Sequence, residues 1–250
     1  MPDMDFGFFG VNAGVLADPA TMVEAATTAE AAGWESIWTG EHVVVTSPQR
    51  PPSPVRPDTH FVDQVAALAH LSAHTTTLRL GTGIVILPQR NPVVLAKELA
   101  SVDVLSGGRL EAGFGVGYVP GEFDAVGVPF AQRGARMDDH IDALRAIWRG
   151  DLEFEGRFTS WHGVEAHPRP VGPDGPPIHV GGGSSATFRR AVLRGNGWYG
   201  FLTTLDSTRS AIEAMDRGLA DLDRPPHLGR IQVSVTPSEP VDRDLVRRYE

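Results

Sequence analysis

Glu41 and His42 stand side by side where an apolar run ends, placing a carboxylate and an imidazole together. Imidazole titrates near neutral pH, so His42 is a candidate proton donor or ligand contact. Neighbours on a strand point to opposite faces, so at most one of the two faces a common interior. A hydrogen-bonded strand-end pair would account for the same residues. A second cluster, Gly181-Gly182-Gly183-Ser184, directly precedes a helical stretch. Glycines let the backbone approach an anion, and a helix N-terminus offers it unpaired N–H groups. Ser184 and Thr187 could add hydroxyls, and Arg189 or Arg190 a charge, which makes this a candidate phosphate cradle. A tight turn that needs small residues is the alternative, weakened by the entropy cost of three adjacent glycines. The stretch also fits G-x-G-x-x-A through Gly181, Gly183 and Ala186, with Asp206 placed like a ribose acid. That fingerprint normally opens its domain, whereas here it falls in the fifth unit. Gly115 and Gly117, followed by Tyr118, could line a flat ligand or form a bulge with a packed tyrosine. His70 and His74 share i, i+4 spacing on an outer helix, where a solvated face fits better than a metal.

These residues require elements to position them. Apolar runs at 6–11, 36–45, 78–87, 110–116, 177–180, 198–201 and 231–236 alternate with helical stretches. The helices are expected over 18–33, 61–73, 91–105, 137–147, 185–193 and 207–222, with another starting at 241. Asp18 before Pro19, and Asn91 before Pro92, are helix-start signals, and Gly33 and Gly107-Gly108 are stops. Met137, Ile141, Leu144 and Ile147 trace one stripe of period 3.6. Residues 120–129 read as a loop. Residues 151–177 break the rhythm and read as an insertion, a short hairpin plus loop. Strand–helix alternation implies parallel strands with right-handed crossovers, and seven units in one domain, 1–250, favour a closed α/β barrel over an open sheet. An eighth strand is not legible. In such barrels the site lies at the carboxyl ends of the strands, which here carry Asn12, Thr39 to His42, Gly81 to Ile84, Gly115 to Tyr118 and Gly181 to Ser184.

Bulk properties narrow the function classes. The 250 residues suit one barrel of roughly 250 residues. A net charge of −9 argues against nucleic acid, which wants a basic surface. No apolar run reaches the roughly 18 residues of a membrane span. The N-terminus lacks the basic region of a secretory signal. The absence of cysteine excludes disulfides and thiolate metal sites and fits a cytoplasmic enzyme. Lys97 is the lone lysine among 22 basic residues, so anions must be held by arginine or backbone N–H groups.

The order TGEH, then LGTGIVILPQRNPVVLAKELASVDVLSGGRLEAGFGVGY, then EF-x-x-x-GVPF-x-x-R, then PIHVGGGS resembles the luciferase-like monooxygenase family, nearest the branch that uses the deazaflavin coenzyme F420. The similarity runs from Phe6 to about Thr236. It implies a (β/α)₈ TIM-type barrel with an insertion near the fifth strand, matching 151–177. It implies a non-prolyl cis peptide at Gly83-Ile84 backing the cofactor ring. The cofactor phosphate would sit at Gly182, Gly183, Ser184, Ala186 and Thr187. Asn12, Glu41, His42, Gly115, Gly117 and Tyr118 would contact the cofactor, with His42 as proton donor and no metal. Tyr118 stands where the sugar-phosphate dehydrogenases of this family carry an acid, so glucose 6-phosphate is not the expected substrate.

The expected activity is hydride transfer between F420 and a small organic molecule, in a cytoplasmic homodimer. A monooxygenase using reduced FMN and O₂ shares the fold and is the alternative. A non-catalytic cofactor-binding barrel is a third reading.

Overall fold

The computed structural model describes residues 4–249, in two compact units, residues 7–176 and residues 177–249 with 4–6. The larger unit carries β1 (Gly7–Phe9), α1 (Pro19–Ala31), β2 (Ser36–Thr39), α2 (Gln64–Ser72), β3 (Arg79–Thr82), β4 (Val85–Ile86), α3 (Pro92–Ser106), β5 (Leu110–Gly115), α4 (Pro120–Ala125), α5 (Arg133–Arg149), β6 (Glu153–Glu155) and β7 (Ser160–His162). The smaller unit has β8 (Ile178–Gly181), α6 (Ser185–Arg194), β9 (Gly197–Thr203), α7 (Leu205–Asp221), β10 (Gln232–Pro237) and α8 (Arg243–Tyr249).

Within the larger unit β1, β2, β3 and β5 pair in that order, all parallel. Within the smaller, β9 lies between β8 and β10, again parallel. Helices sit between successive strands, as the alternation predicts. Their starts are the expected ones. Asp18 accepts from Thr21 N at 2.9 Å, and Asn91 accepts from Val93 N at 3.0 Å, each with proline at the next position. Gly107 and Gly150 end α3 and α5 in the left-handed conformation that L side chains resist.

Several boundaries differ from expectation. β2 stops at Thr39 and not at residue 45, because Glu41 and His42 turn to different partners and Val43 and Val44 are exposed. The run over 78–87 is two short strands, β3 and β4, both pairing with β5 and divided by a cis peptide at Gly83-Ile84. The supposed loop over 120–129 holds α4, opened by Pro120. The stripe of Met137 to Ile147 belongs to a longer helix, α5. The insertion is a hairpin, β6 antiparallel to β7, on which Phe154 stacks against Trp161 at 4.9 Å. Its turn is tied down by Asp139 of α5, which accepts from Phe158 N at 3.2 Å. Among the described residues, only α8 follows β10, and no helix is long and apolar enough to cross a membrane.

Candidate functional site

Asn12 follows β1, and its side chain is fully buried. Its Nδ2 donates to the carbonyls of Gly40 (2.9 Å) and Val62 (2.6 Å), and its Oδ1 accepts from Gly40 N at 2.8 Å. The amide therefore has both ends committed to backbone, tying the ends of β1 and β2 to the segment before α2.

Glu41 and His42 diverge from the end of β2. Glu41 is buried, accepts from Ile86 N at 2.5 Å through one oxygen and pairs with Arg90 through the other. Burial pushes its carboxyl up, with Arg90 and the Ile86 N–H pulling the other way. Arg90 also reaches Asp63 at 3.1 Å. Gln64 extends this network, accepting from the Thr39 hydroxyl at 2.9 Å and donating to the Ile84 carbonyl at 3.1 Å. Gly83 N donates to the Thr39 carbonyl at 2.7 Å. Thr39 and Gln64 thus hold the Gly83-Ile84 segment between β3 and β4, and Glu41 holds β4 itself. Gly40, His42, Phe61 and Arg90 help line a cavity of about 130 Å³ beside it.

His42 takes the other direction. Its Nδ1 lies 2.6 Å from Oε1 of Glu122, on α4. The Glu122 side chain is 1% exposed, and its Oε2 has no hydrogen-bond partner among the described residues. Phe61 meets the imidazole edge-on, with ring centroids 5.3 Å apart. Tyr118 is half exposed; burial first, and the Glu122 carboxylate second, push its phenol up. A fixed imidazole between a buried carboxylate and an aromatic ring is an arrangement suited to moving a proton at Nε2.

The glycines at the end of β5 are closely packed. A Cβ on Gly115 would come within 2.9 Å of Ile84 Cγ1, and one on Gly117 within 2.6 Å of Ile86 Cγ2. They allow Ile84, Ile86 and Phe123 to approach the backbone.

In the smaller unit, Gly182 has φ +123°, and Gly182 to Ala186 are exposed. Ser184 caps α6, its hydroxyl accepting from Thr187 N at 3.2 Å. Thr187 is buried, with its hydroxyl 3.0 Å from that of Ser184. These hydroxyls satisfy each other and the cap, while the Ser185 and Ala186 N–H groups face outward as helix starts do. Trp198 Nε1 donates to the Gly182 carbonyl at 2.7 Å and fixes the turn. Asp206 pairs with Arg209 on α7, and the His70 and His74 rings contact each other at 4.8 Å; no cluster fit to hold a metal exists among the described residues.

The sequence reading did not single out Phe61, Asp63, Gln64, Arg90 or Glu122. Arg90 and Glu122 do lie in the PQRNP and EF stretches that carry the resemblance, which is the signal that could have found them.

The sequence profile of the luciferase-like monooxygenases matches residues 4–249. An uncharacterized protein of Mycobacterium tuberculosis is 33% identical over 192 residues, which are 73% of this chain and 66% of that one. The oxygenase component of the flavin-dependent trigonelline monooxygenase of Acinetobacter baylyi is 31% identical, over 70% of this chain and 46% of its own. The chain thus spans just under two thirds of the first of these relatives and less than half of the second. Among solved structures, an F420-dependent secondary alcohol dehydrogenase in complex with an F420-acetone adduct matches 92% of this chain and 68% of its own, with a TM-score of 0.76 at 17% identity. The fold is accordingly the α/β, TIM-type one expected from the alternation of strands and helices, and the chain belongs to the luciferase-like monooxygenase family.

Proposed function

We propose that this chain is an oxidoreductase that uses coenzyme F420 to move hydride to or from a small organic molecule, with His42 carrying the accompanying proton. The observation that carries this reading is the His42–Glu122 pair. It leaves one imidazole nitrogen, Nε2, without a hydrogen bond among the described residues, at the strand-end face where barrels of this kind do chemistry.

In the smaller unit, the residues before α6 fit the phosphate of such a cofactor. The outward N–H groups of Ser185 and Ala186, behind Gly182 and Gly183, suit a phosphate, and a side chain on Gly183 would meet nothing within 4 Å. We assign the phosphate to Gly182, Gly183, Ser184, Ala186 and Thr187. Gly83, Ile84 and Tyr118 are assigned to the ring. Asn12, Glu41, Gly115 and Gly117 are assigned to the same cofactor site, where Asn12 also braces Gly40 and Val62, Glu41 holds Ile86, and the two glycines admit Ile84 and Ile86. Hydride at a carbon that replaces flavin N5 is the chemistry the deazaflavin supplies when bound. The protein's part is to orient the substrate and to give or take a proton at His42 Nε2.

A reduced-FMN monooxygenase is the second reading, favoured by the 31% identity to a flavin-dependent oxygenase component. Mixing the protein with each reduced cofactor and a panel of small carbonyl and alcohol substrates, with and without oxygen, separates the two. Oxygen-independent turnover with F420 supports the proposal. Oxygen-dependent turnover with FMN and none with F420 overturns it.

A further inference from the structure

We infer that Glu122 is the positioning residue of His42: it fixes the tautomer and the ring orientation so that Nε2 alone is free to exchange a proton. The inference rests on the reading of His42 as proton carrier and deepens it. An ionised carboxylate oxygen only accepts, so the 2.6 Å contact holds a proton on Nδ1 and leaves Nε2 as the nitrogen that gains and loses one. Glu122 is 1% exposed and His42 10% exposed, so water does not compete for that bond. The second oxygen of Glu122 has no partner among the described residues, so His42 is the hydrogen-bond donor it is given. Phe61 closes another side of the ring at 5.3 Å and restricts its rotation. Glu122 itself is delivered by α4, whose start at Pro120 sets the turn that points it inward, and Gly121 is where Thr46 packs, its Cγ2 2.6 Å from the place a Cβ would take. A carboxylate set in this way acts through the imidazole, as the orienting member of a nucleophile–base–orienter chain does.

The test needs no cofactor for its first arm. In ¹⁵N spectra of the full chain labelled at histidine, the neutral form of His42 is expected protonated at Nδ1 and bare at Nε2. Glu122→Ala should move the proton to Nε2, whereas Glu122→Gln, whose amide oxygen still accepts, should largely keep it at Nδ1. In the second arm, with cofactor and substrate, Glu122→Ala should lower kcat by about 10²-fold with KM little changed, and Glu122→Gln should recover part of the loss. An unaltered His42 tautomer in the alanine variant overturns the inference, and so does an unaltered kcat. Circular dichroism reports whether the alanine variant folds; if it does not, the glutamine variant decides, through a weakened preference of His42 for Nδ1 protonation and a kcat lying between wild type and a His42→Gln control. An unaltered tautomer with an unaltered kcat in that variant then overturns the inference. Wild-type turnover by His42→Gln would instead sink the reading of His42 as proton carrier, and the spectra would then judge Glu122 independently.

Discussion

Glu41 and Arg90 close on each other beside the break between β3 and β4, and the second oxygen of Glu41 takes the Ile86 N–H. Glu41 thereby braces β4. Removing Arg90 as Arg90→Met should leave a buried carboxylate without its counter-charge. The expected loss is about 3 kcal/mol, at the lower end for broken buried pairs because Arg90 is partly exposed. The double variant Glu41→Gln/Arg90→Met should recover part of it. Urea unfolding midpoints at constant slope measure both.

The two groups of glycines should respond in opposite ways to alanine. Gly115→Ala places a methyl against Ile84 and should cost about 1–3 kcal/mol by overpacking. Gly183→Ala meets open space at an ordinary φ and should stay within about 0.5 kcal/mol of wild type. The same Gly183 variant should bind the cofactor more weakly, because the added methyl stands in the way of an approaching phosphate. Thermal unfolding reads the first two effects and equilibrium dialysis of the cofactor the third.

Stability should fall in acid through Glu30, at the end of α1. Burial pushes its carboxyl up, but the N–H groups of Thr77, Thr76 and Leu78 and the Thr77 hydroxyl outweigh this and lower it from 4.5 to about 2. The folded value lies below the unfolded one, so the contribution is whole above about pH 4.5 and is lost as pH falls toward about 2. Solvent screening at this surface site leaves about 1–2 kcal/mol of the nominal ~3. The difference in unfolding free energy between wild type and Glu30→Gln should therefore be largest at pH 6 and vanish near pH 2. A pH-independent difference would contradict this assignment.

His42→Gln should lower turnover by about 10²- to 10⁴-fold, the usual contribution of a proton-transfer group. Cofactor binding should persist, since the phosphate is assigned elsewhere. Stopped-flow turnover and fluorescence titration of the cofactor measure the two separately.

The alternation of strands and helices, the caps at Asp18 and Asn91, the hairpin in 151–177 and the pairing of glycines with strand ends were all legible in the sequence. They depend on residues close in the chain, where hydrogen-bonding capacity, φ preference and apolar period act directly. The position of the Gly83-Ile84 peptide followed from the motifs that carry the family resemblance. Partnerships over long separations were not legible. Glu41 with Arg90 spans 49 positions and His42 with Glu122 spans 80, and neither pair has a period or spacing that announces it. Asn12 was legible as the residue ending the first strand, but its bonds to Gly40, 28 positions on, and Val62, 50 positions on, were not. Sequence thus determined that Glu41 and His42 stand at the mouth of a strand. The tertiary structure decided that Glu41 pairs with Arg90 and His42 with Glu122, because burial leaves each carboxylate and imidazole only the partners that folding brings within reach.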